Sequence, residues 1–296
     1  GASKNPPMPR SMPPRIAPLL LLSLVAPGTA LCHAPRAPLR PISLAPRTHT
    51  IAMSAAADGG LTALTTRPAR AAMAATWIGF SVYVAAFSPG SFDVSPDSFD
   101  NRLIADAIAD PSSLNPIFFA IFNALGLMPA VNTALLFPGS RDQSPLPTAP
   151  FVVSSFALGY GAVGPYLALR EPRPEPIARS ELGFFTRYVT ESRLYGVGLV
   201  AGALVLAKIL ADGSGADSVA AFGELFATSK LVHVSTIDLA VLSTFAFEPI
   251  REDMARRGWW DEGSPTDAQR NRLLAFCAVP VLGPSLYVAL RPPLQE

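Results

Sequence analysis

The chain has 296 residues, of which 50% are hydrophobic and only 15% are charged, and its mean hydropathy is +0.33. A soluble domain carries about 25% charged residues. This composition therefore argues against an ordinary soluble fold and predicts an all-α, polytopic membrane helix bundle. The formal net charge of +1 indicates no nucleic-acid partner. The two cysteines and three histidines are too few for a structural zinc site once the N-terminal region is removed.

The first 57 residues differ from the rest because they contain six basic residues and no Asp or Glu. Arg10 and Arg15 precede an apolar stretch at 16–26, which small residues follow, as in a signal peptide. The next segment, up to residue 57, is rich in Arg, Ala, Pro, Ser and Thr, a composition typical of an organelle transit peptide. We interpret 1–57 as a disordered bipartite presequence of a complex plastid, with a disordered basic tail as the alternative.

The remaining chain contains apolar segments of about the length that crosses a bilayer. Six transmembrane helices are predicted, at residues 71–88, 116–137, 151–169, 195–211, 230–250 and 273–290. A proline-rich loop divides them into two groups of three, within residues 71–169 and 180–296. Residues 98–110 space apolar side chains on one helical face, which predicts a short helix lying on the membrane surface.

The third and sixth predicted spans end in similar sequences, AVGPYLALREP and VLGPSLYVALRPP. With three spans in each half, these ends would face opposite sides of the membrane, which is the pattern of an inverted repeat. Chance similarity between two apolar helix ends is the alternative.

Membrane orientation is ambiguous in this six-span arrangement. The loops after the third and fifth spans hold about ten arginines, so the positive-inside rule places them on the stromal side. The mature N-terminus would then lie on the other side, against the evidence of Arg67 and Arg70.

The fifth span contains the two most costly polar residues, His233 and Asp238. Five residues turn a helix by about 500°, so the two side chains do not share a face and each must find its partner on another helix, in water or in a ligand. For Asp238 the candidates are Lys208 of the fourth span and an asparagine of the second span, Asn123 or Asn132. These five residues are the candidate ligand-binding or buried polar residues. No catalytic or metal-binding set is predicted.

Several functions are compatible with these residues. His233 is a candidate ligand of chlorophyll magnesium or haem iron, although the sequence identifies no cofactor. His233 and Asp238 would also serve as proton-relay groups in a small-solute or ion transporter, or as acid and base of a membrane enzyme acting on lipid or isoprenoid. A further alternative is that both are hydrogen-bonded packing residues. Because no catalytic constellation is visible, a non-enzymatic accessory or assembly subunit is the first interpretation.

Residues 115–293 resemble a family of plastid and cyanobacterial integral-membrane proteins that have a C-terminal helix-pair domain of unknown function. The resemblance lies in PIFFAIFNALGLMPAVNTALLFPGSR, GAVGPYLALR, STIDLAVLSTFAFEPIREDMARRGWW and VPVLGPSLYVALRPP. It implies a multi-pass protein of the thylakoid or inner envelope membrane. The expected partners are the lipid bilayer and a plastid membrane complex, and the family implies no activity.

Overall fold

The computed structural model describes residues 68–93, 95–141, 143 and 146–295, so the predicted presequence lies outside the described residues. The described residues form eleven α-helices without any strand, which confirms the all-α prediction. The helices are α1 Pro68–Ala86, α2 Phe99–Ala109, α3 Pro116–Leu136, α4 Thr148–Leu158, α5 Tyr160–Leu169, α6 Arg193–Gly213, α7 Ala216–Thr228, α8 Lys230–Phe245, α9 Phe247–Arg256, α10 Asp267–Cys277 and α11 Leu282–Leu290.

Four of these elements are long and apolar enough to cross a membrane: α1, α3, α6 and the combined helix α8–α9. They correspond to the first, second, fourth and fifth predicted spans. Helix α3 is the central one, since 61% of its apolar window is buried, against 11% for α1. It packs against α4, α6, α7, α8, α9 and α11, and Asn115 caps its N-terminus by accepting two backbone N–H bonds.

The third predicted span is not a single helix but a hairpin of two short helices, α4 and α5. The hydroxyls of Thr148 and Tyr166 lie 2.7 Å apart, whereas 18 residues of a continuous helix would separate them by about 27 Å. The start of α4 therefore lies beside the end of α5. Each arm is 10 or 11 residues long, about half of what a bilayer crossing requires.

The sixth predicted span is broken in the same way, into α10 and α11. The rings of Phe276 and Tyr287 are 5.3 Å apart, whereas 11 residues of a continuous helix would hold them about 16 Å apart. The prediction of six spans is therefore not confirmed, because neither of these two segments is a single helix. Both were predicted as spans because residues 151–169 and 273–290 are apolar over about the length of one crossing, and the polar first half of α10 lies before the second of these segments.

Two unusual backbone conformations form the turns of the hairpins. Gly159 separates α4 from α5 with φ 53° and ψ −131°, values that glycine adopts without a steric penalty. Val281 precedes α11 with φ 64° and ψ −56°, and the N–H of Leu282 donates to the carbonyl of Pro280 at 2.6 Å. This is a γ-turn of the strained kind, and its central residue is β-branched.

The two ends of the helix bundle carry different charges. We call one the arginine end, where Arg170, Arg256, Arg257 and Arg291 lie together, and the other the lysine end, where Lys230 begins α8. Helix α1 starts at the arginine end, since the Arg70 side chain donates to the carbonyl of Ala168 at 2.8 Å. It finishes at the lysine end, where Lys230 Nζ donates to Ser88 Oγ at 2.6 Å.

Candidate functional site

His233 lies in a buried contact between α8, α1 and α7, and both of its ring nitrogens have partners. Nδ1 is 2.8 Å from the carbonyl oxygen of Phe226, and Nε2 is 2.6 Å from the hydroxyl of Tyr83. Because a carbonyl only accepts, Nδ1 carries a proton, and in the neutral ring Nε2 then accepts from the Tyr83 hydroxyl. The Phe226 ring packs on the imidazole with centroids 4.1 Å apart. Ligation of magnesium or iron by His233 would require one of these hydrogen bonds to break.

Asp238 caps the N-terminus of α5 from a different helix. Its Oδ1 accepts the backbone N–H of Tyr160 at 2.8 Å, so the carboxylate lies at the positive end of the α5 dipole, at the turn of the first hairpin. A Cβ atom on Gly159 would lie 1.6 Å from Oδ2 of Asp238. The absence of a side chain at Gly159 therefore allows both the turn and the approach of the carboxylate.

Among the kinds of partner expected, both His233 and Asp238 contact another helix, but the bond of Asp238 is not to any of the candidate side chains. Lys208 is a surface residue that donates to Asp212 at 2.7 Å, with its side chain 73% exposed. Asn123 donates to the carbonyl of Phe119 in its own helix at 2.9 Å. Asn132 is buried in α3 at 3% exposure. The partner of Asp238 is a backbone N–H, which no side-chain pattern in the sequence marks.

The largest polar cluster of the described residues lies at the arginine end, and sequence analysis did not identify it as a site. We call it the ionic cluster, and its members are Arg170, Glu191, Glu252, Asp253, Arg256, Arg257 and Arg291. The side chain of each is at most 5% exposed. Buried charges of this kind persist only when they are paired and hydrogen-bonded.

Asp253 is the centre of the ionic cluster. It accepts from Arg256 at 2.9 Å, from Arg257 at 2.7 Å and from Arg291 at 3.0 Å. The hydroxyl of Tyr287 donates to the same carboxylate at 2.9 Å. This one side chain of α9 thereby joins the last turn of its own helix to α11 and to the residue that follows α11.

The other two carboxylates extend the ionic cluster to the rest of the bundle. Glu252 binds Arg170 directly and Arg256 at 2.9 Å, and Glu191 accepts from Arg257 and Arg291, at 2.8 Å each. Burial alone would lower the pKa of the Arg170 guanidinium, but the neighbouring Glu252 outweighs burial and raises it. Four guanidinium groups against three carboxylates leave the cluster with one excess positive charge.

The sequence does carry a signal for this cluster. Glu252 and Asp253 each have an arginine four residues later, Arg256 and Arg257, and residues four apart share a helix face. The predicted span ended at residue 250, and the sequence analysis did not use this pairing. It also missed Arg170 and Arg291, which come from helix ends far along the chain.

Two concavities lie on the surface of the described bundle. One, of about 370 Å³, is at the arginine end and is lined by Arg141, Arg173, Glu175, Glu181, Pro138 and Ile177. The other, of about 330 Å³, is a mainly apolar groove along α8 whose polar lining groups are the hydroxyls of Thr76, Thr236 and Thr244. Among the residues that the structure describes, no three His, Cys, Asp or Glu side chains are placed to hold a metal ion.

Comparisons with protein-family models, curated proteins and solved structures gave no match to this chain. The resemblance of residues 115–293 to plastid and cyanobacterial membrane proteins thus stays a prediction.

Proposed function

We propose that the protein is a multi-pass membrane protein of the plastid, in the thylakoid or inner envelope, and that it is a non-enzymatic subunit of a larger membrane complex. The plastid location rests on the basic, acid-free composition of residues 1–57. The membrane location is supported by four helices of sufficient length and hydropathy.

The outer surface of these helices also supports a lipid environment. Ile78 and Val82 of α1 and Val197 and Leu204 of α6 are each more than half exposed, although exposed apolar surface in water costs about 25 cal/mol per Å². In contrast, the ionic cluster is buried inside the bundle. Apolar side chains outside and charges inside are the distribution that a bilayer favours.

The observation that supports a non-enzymatic role is how the two most costly polar residues are used. Both ring nitrogens of His233 are engaged by Tyr83 and Phe226, and Asp238 caps a helix of the first hairpin. Catalytic acids and bases must reach a substrate proton within hydrogen-bond distance. These two side chains instead hold neighbouring helices together, as in a packing role.

The proposal predicts the size at which the protein migrates. After mild solubilisation of plastid membranes and native electrophoresis, we expect most of the protein to migrate far above the mass of a monomer or dimer. An antibody locates the protein, and absorbance of the same lane shows whether the complex holds pigment. Migration as a colourless monomer or dimer would refute the subunit proposal. If a pigmented band is found, His233→Phe distinguishes two roles of this residue. Loss of the pigment in the variant would indicate that His233 is its ligand, whereas retention of the pigment would indicate a packing role.

Transport of a small solute or ion is the second candidate, and the two hairpins favour it. Transporters often use discontinuous helices whose N-termini end inside the bundle, and α5 begins within the bundle, beside Asp238. The corresponding mechanism would bring water or solute to Asp238 in part of the transport cycle.

Water access to this region is measurable with a single cysteine at Ser235, a buried neighbour of Asp238 in α8. In a background in which Cys32 and Cys277 are serine, a transporter is expected to show slow but complete reaction of Ser235→Cys with a polar thiol reagent. The matched control is a cysteine at the exposed position Ser214, which should react fast in either case. Complete protection at position 235 would count against transport and leave the subunit proposal standing.

A further inference from the structure

The described chain consists of two successive segments with the same order of elements. Each segment has a long helix, a short amphipathic helix, a second long helix and then a hairpin of two short helices. In the first segment these are α1, α2, α3 and α4–α5, and in the second they are α6, α7, α8–α9 and α10–α11. The hairpin arms have 11 and 10 residues in the first segment and 11 and 9 in the second.

The two segments also match in sequence at the ends of their hairpins. Residues 166–172 read YLALREP and residues 287–293 read YVALRPP, so both follow the pattern Tyr-x-Ala-Leu-Arg-x-Pro. The two arginines, Arg170 and Arg291, both follow the last residue of a short helix. Both then reach α9, where they bind the adjacent carboxylates Glu252 and Asp253.

Packing repeats in the same way. Helix α1 packs on the second arm of the first hairpin, and α6 packs on the second arm of the second hairpin. Each short amphipathic helix contacts the start of the second long helix in the other segment. Asp100 of α2 accepts from Ser229, the N-cap of α8, at 2.6 Å, while Asn115, the N-cap of α3, donates to the carbonyl of Ser218 in α7 at 2.8 Å. Reciprocal contacts of this kind are what a two-fold relation produces.

We infer that residues 68–176 and 193–295 are two parallel copies of one membrane unit, related by an approximate two-fold axis along the bundle, and that Glu252–Asp253 is the docking surface for the hairpins of both copies. This corrects the expectation of an inverted repeat. The two similar helix ends meet at the same end of the bundle, on neighbouring residues of one helix. Parallel repeats with an axis along the membrane normal are an established transporter architecture.

The first copy has no carboxylates of its own at the matching place. Aligning the N-caps Asn115 and Ser229 places Pro138 and Gly139 opposite Glu252 and Asp253. The space at Gly139 is used by Arg256, since a Cβ there would lie 2.9 Å from its Nη2 atom. One pair of carboxylates therefore neutralises the hairpin arginines of both copies, which makes the second copy necessary to the first.

This arrangement removes the ambiguity in orientation, and it rests on the membrane location proposed above. With four crossings and two hairpins, the start of α1, both hairpins and the C-terminus all lie at the arginine end. The segments 137–147, 170–193, 257–272 and 291–295 at that end hold ten arginines, whereas 87–115 and 214–229 at the lysine end hold one. The positive-inside rule then places the arginine end in the stroma, together with Arg70.

Single cysteines in the full chain test this topology, in a background in which Cys32 and Cys277 are serine. Arg141→Cys and Glu175→Cys flank the first hairpin, Ser264→Cys and Gln295→Cys flank the second, and Asp97→Cys marks the lysine end. All five positions are exposed. In sealed vesicles of known orientation, a membrane-impermeant maleimide is expected to label the first four from one side and Asp97→Cys only from the other.

The possible results distinguish failure of the parallel repeat from failure of the membrane location proposed above. Labelling of Arg141→Cys and Glu175→Cys from opposite sides would overturn the parallel repeat, because the first hairpin would then cross the membrane, while the membrane location would stand. Extraction of the protein by alkaline carbonate, with every cysteine labelled equally in intact vesicles, would refute the membrane location and the repeat topology with it. Labelling of all four hairpin positions from the stromal side supports both the repeat and the orientation.

Discussion

Replacing Gly159 with alanine is expected to destabilise the folded protein by about 2–6 kcal/mol, since two costs combine. The alanine would have to adopt φ 53° and ψ −131°, and its Cβ would lie 1.6 Å from Oδ2 of Asp238. Displacing the carboxylate would also leave the N–H of Tyr160 without its acceptor. The measurement is the unfolding midpoint of the purified protein in mild detergent.

The chain offers a matched control two residues away. Gly161 lies in the first turn of α5, and a Cβ there would meet nothing within 4 Å, so Gly161→Ala should be neutral or slightly stabilising because alanine favours helix. Adding Asp238→Ala to Gly159→Ala should relieve the steric overlap but not the backbone strain, giving partial recovery. Equal stability of Gly159→Ala and Gly161→Ala would contradict the placement of Asp238 at the hairpin turn.

Asp253→Asn is expected to have the largest effect of any conservative change at the arginine end. The variant keeps the volume of the side chain but removes the negative charge that faces Arg256, Arg257 and Arg291. Breaking a buried ionic contact by changing one partner costs about 3–5 kcal/mol. We therefore expect a strongly lowered unfolding midpoint and a reduced steady-state amount of protein in the membrane.

The same chemical change at an exposed aspartate provides the control. Asp212 forms a surface ion pair with Lys208 in which both side chains are more than half exposed, and such pairs contribute about 0–1 kcal/mol. Asp212→Asn should leave the midpoint within that range. If Asp253→Asn were equally mild, the ionic cluster would have little part in stability, and the assignment of Asp253 as its centre would be wrong.

Sequence patterns were sufficient to locate three of the long apolar helices, because the length of an apolar segment is a local property. The segments at 71–88, 116–137 and 195–211 all lie on single helices of the structure, with ends that differ by three residues or fewer. The hairpins were missed because residues 151–169 and 273–290 are each as apolar and about as long as a crossing, and only the backbone turns reveal that each segment is divided between two helices. Nothing in the sequence distinguishes Gly159 from the nearby Gly161 and Gly164 as the turn residue, and nothing about the side chain of Val281 indicates a positive φ.

The candidate site shows a similar division between local and long-range information. The spacing of His233 and Asp238 correctly predicted that they do not pair within one helix, but one of the two partners of His233 and the partner of Asp238 come from distant segments. Tyr83 is 150 residues from His233, and Tyr160 is 78 residues from Asp238. The ionic cluster was missed for the same reason, since Arg170 and Glu252 are 82 residues apart.

The dependence of the first hairpin on Glu252 has a consequence for biosynthesis. Arg170 precedes its carboxylate partner by 82 residues, so a chain that enters the plastid membrane N-terminus first delivers the first hairpin before Glu252. Until Glu252 arrives, the first hairpin has its aromatic and backbone contacts with α1 but not the charge that neutralises its end. The first half of the protein therefore completes its folding only after the second half has been imported, and a chain truncated before residue 252 would leave an uncompensated arginine in the membrane.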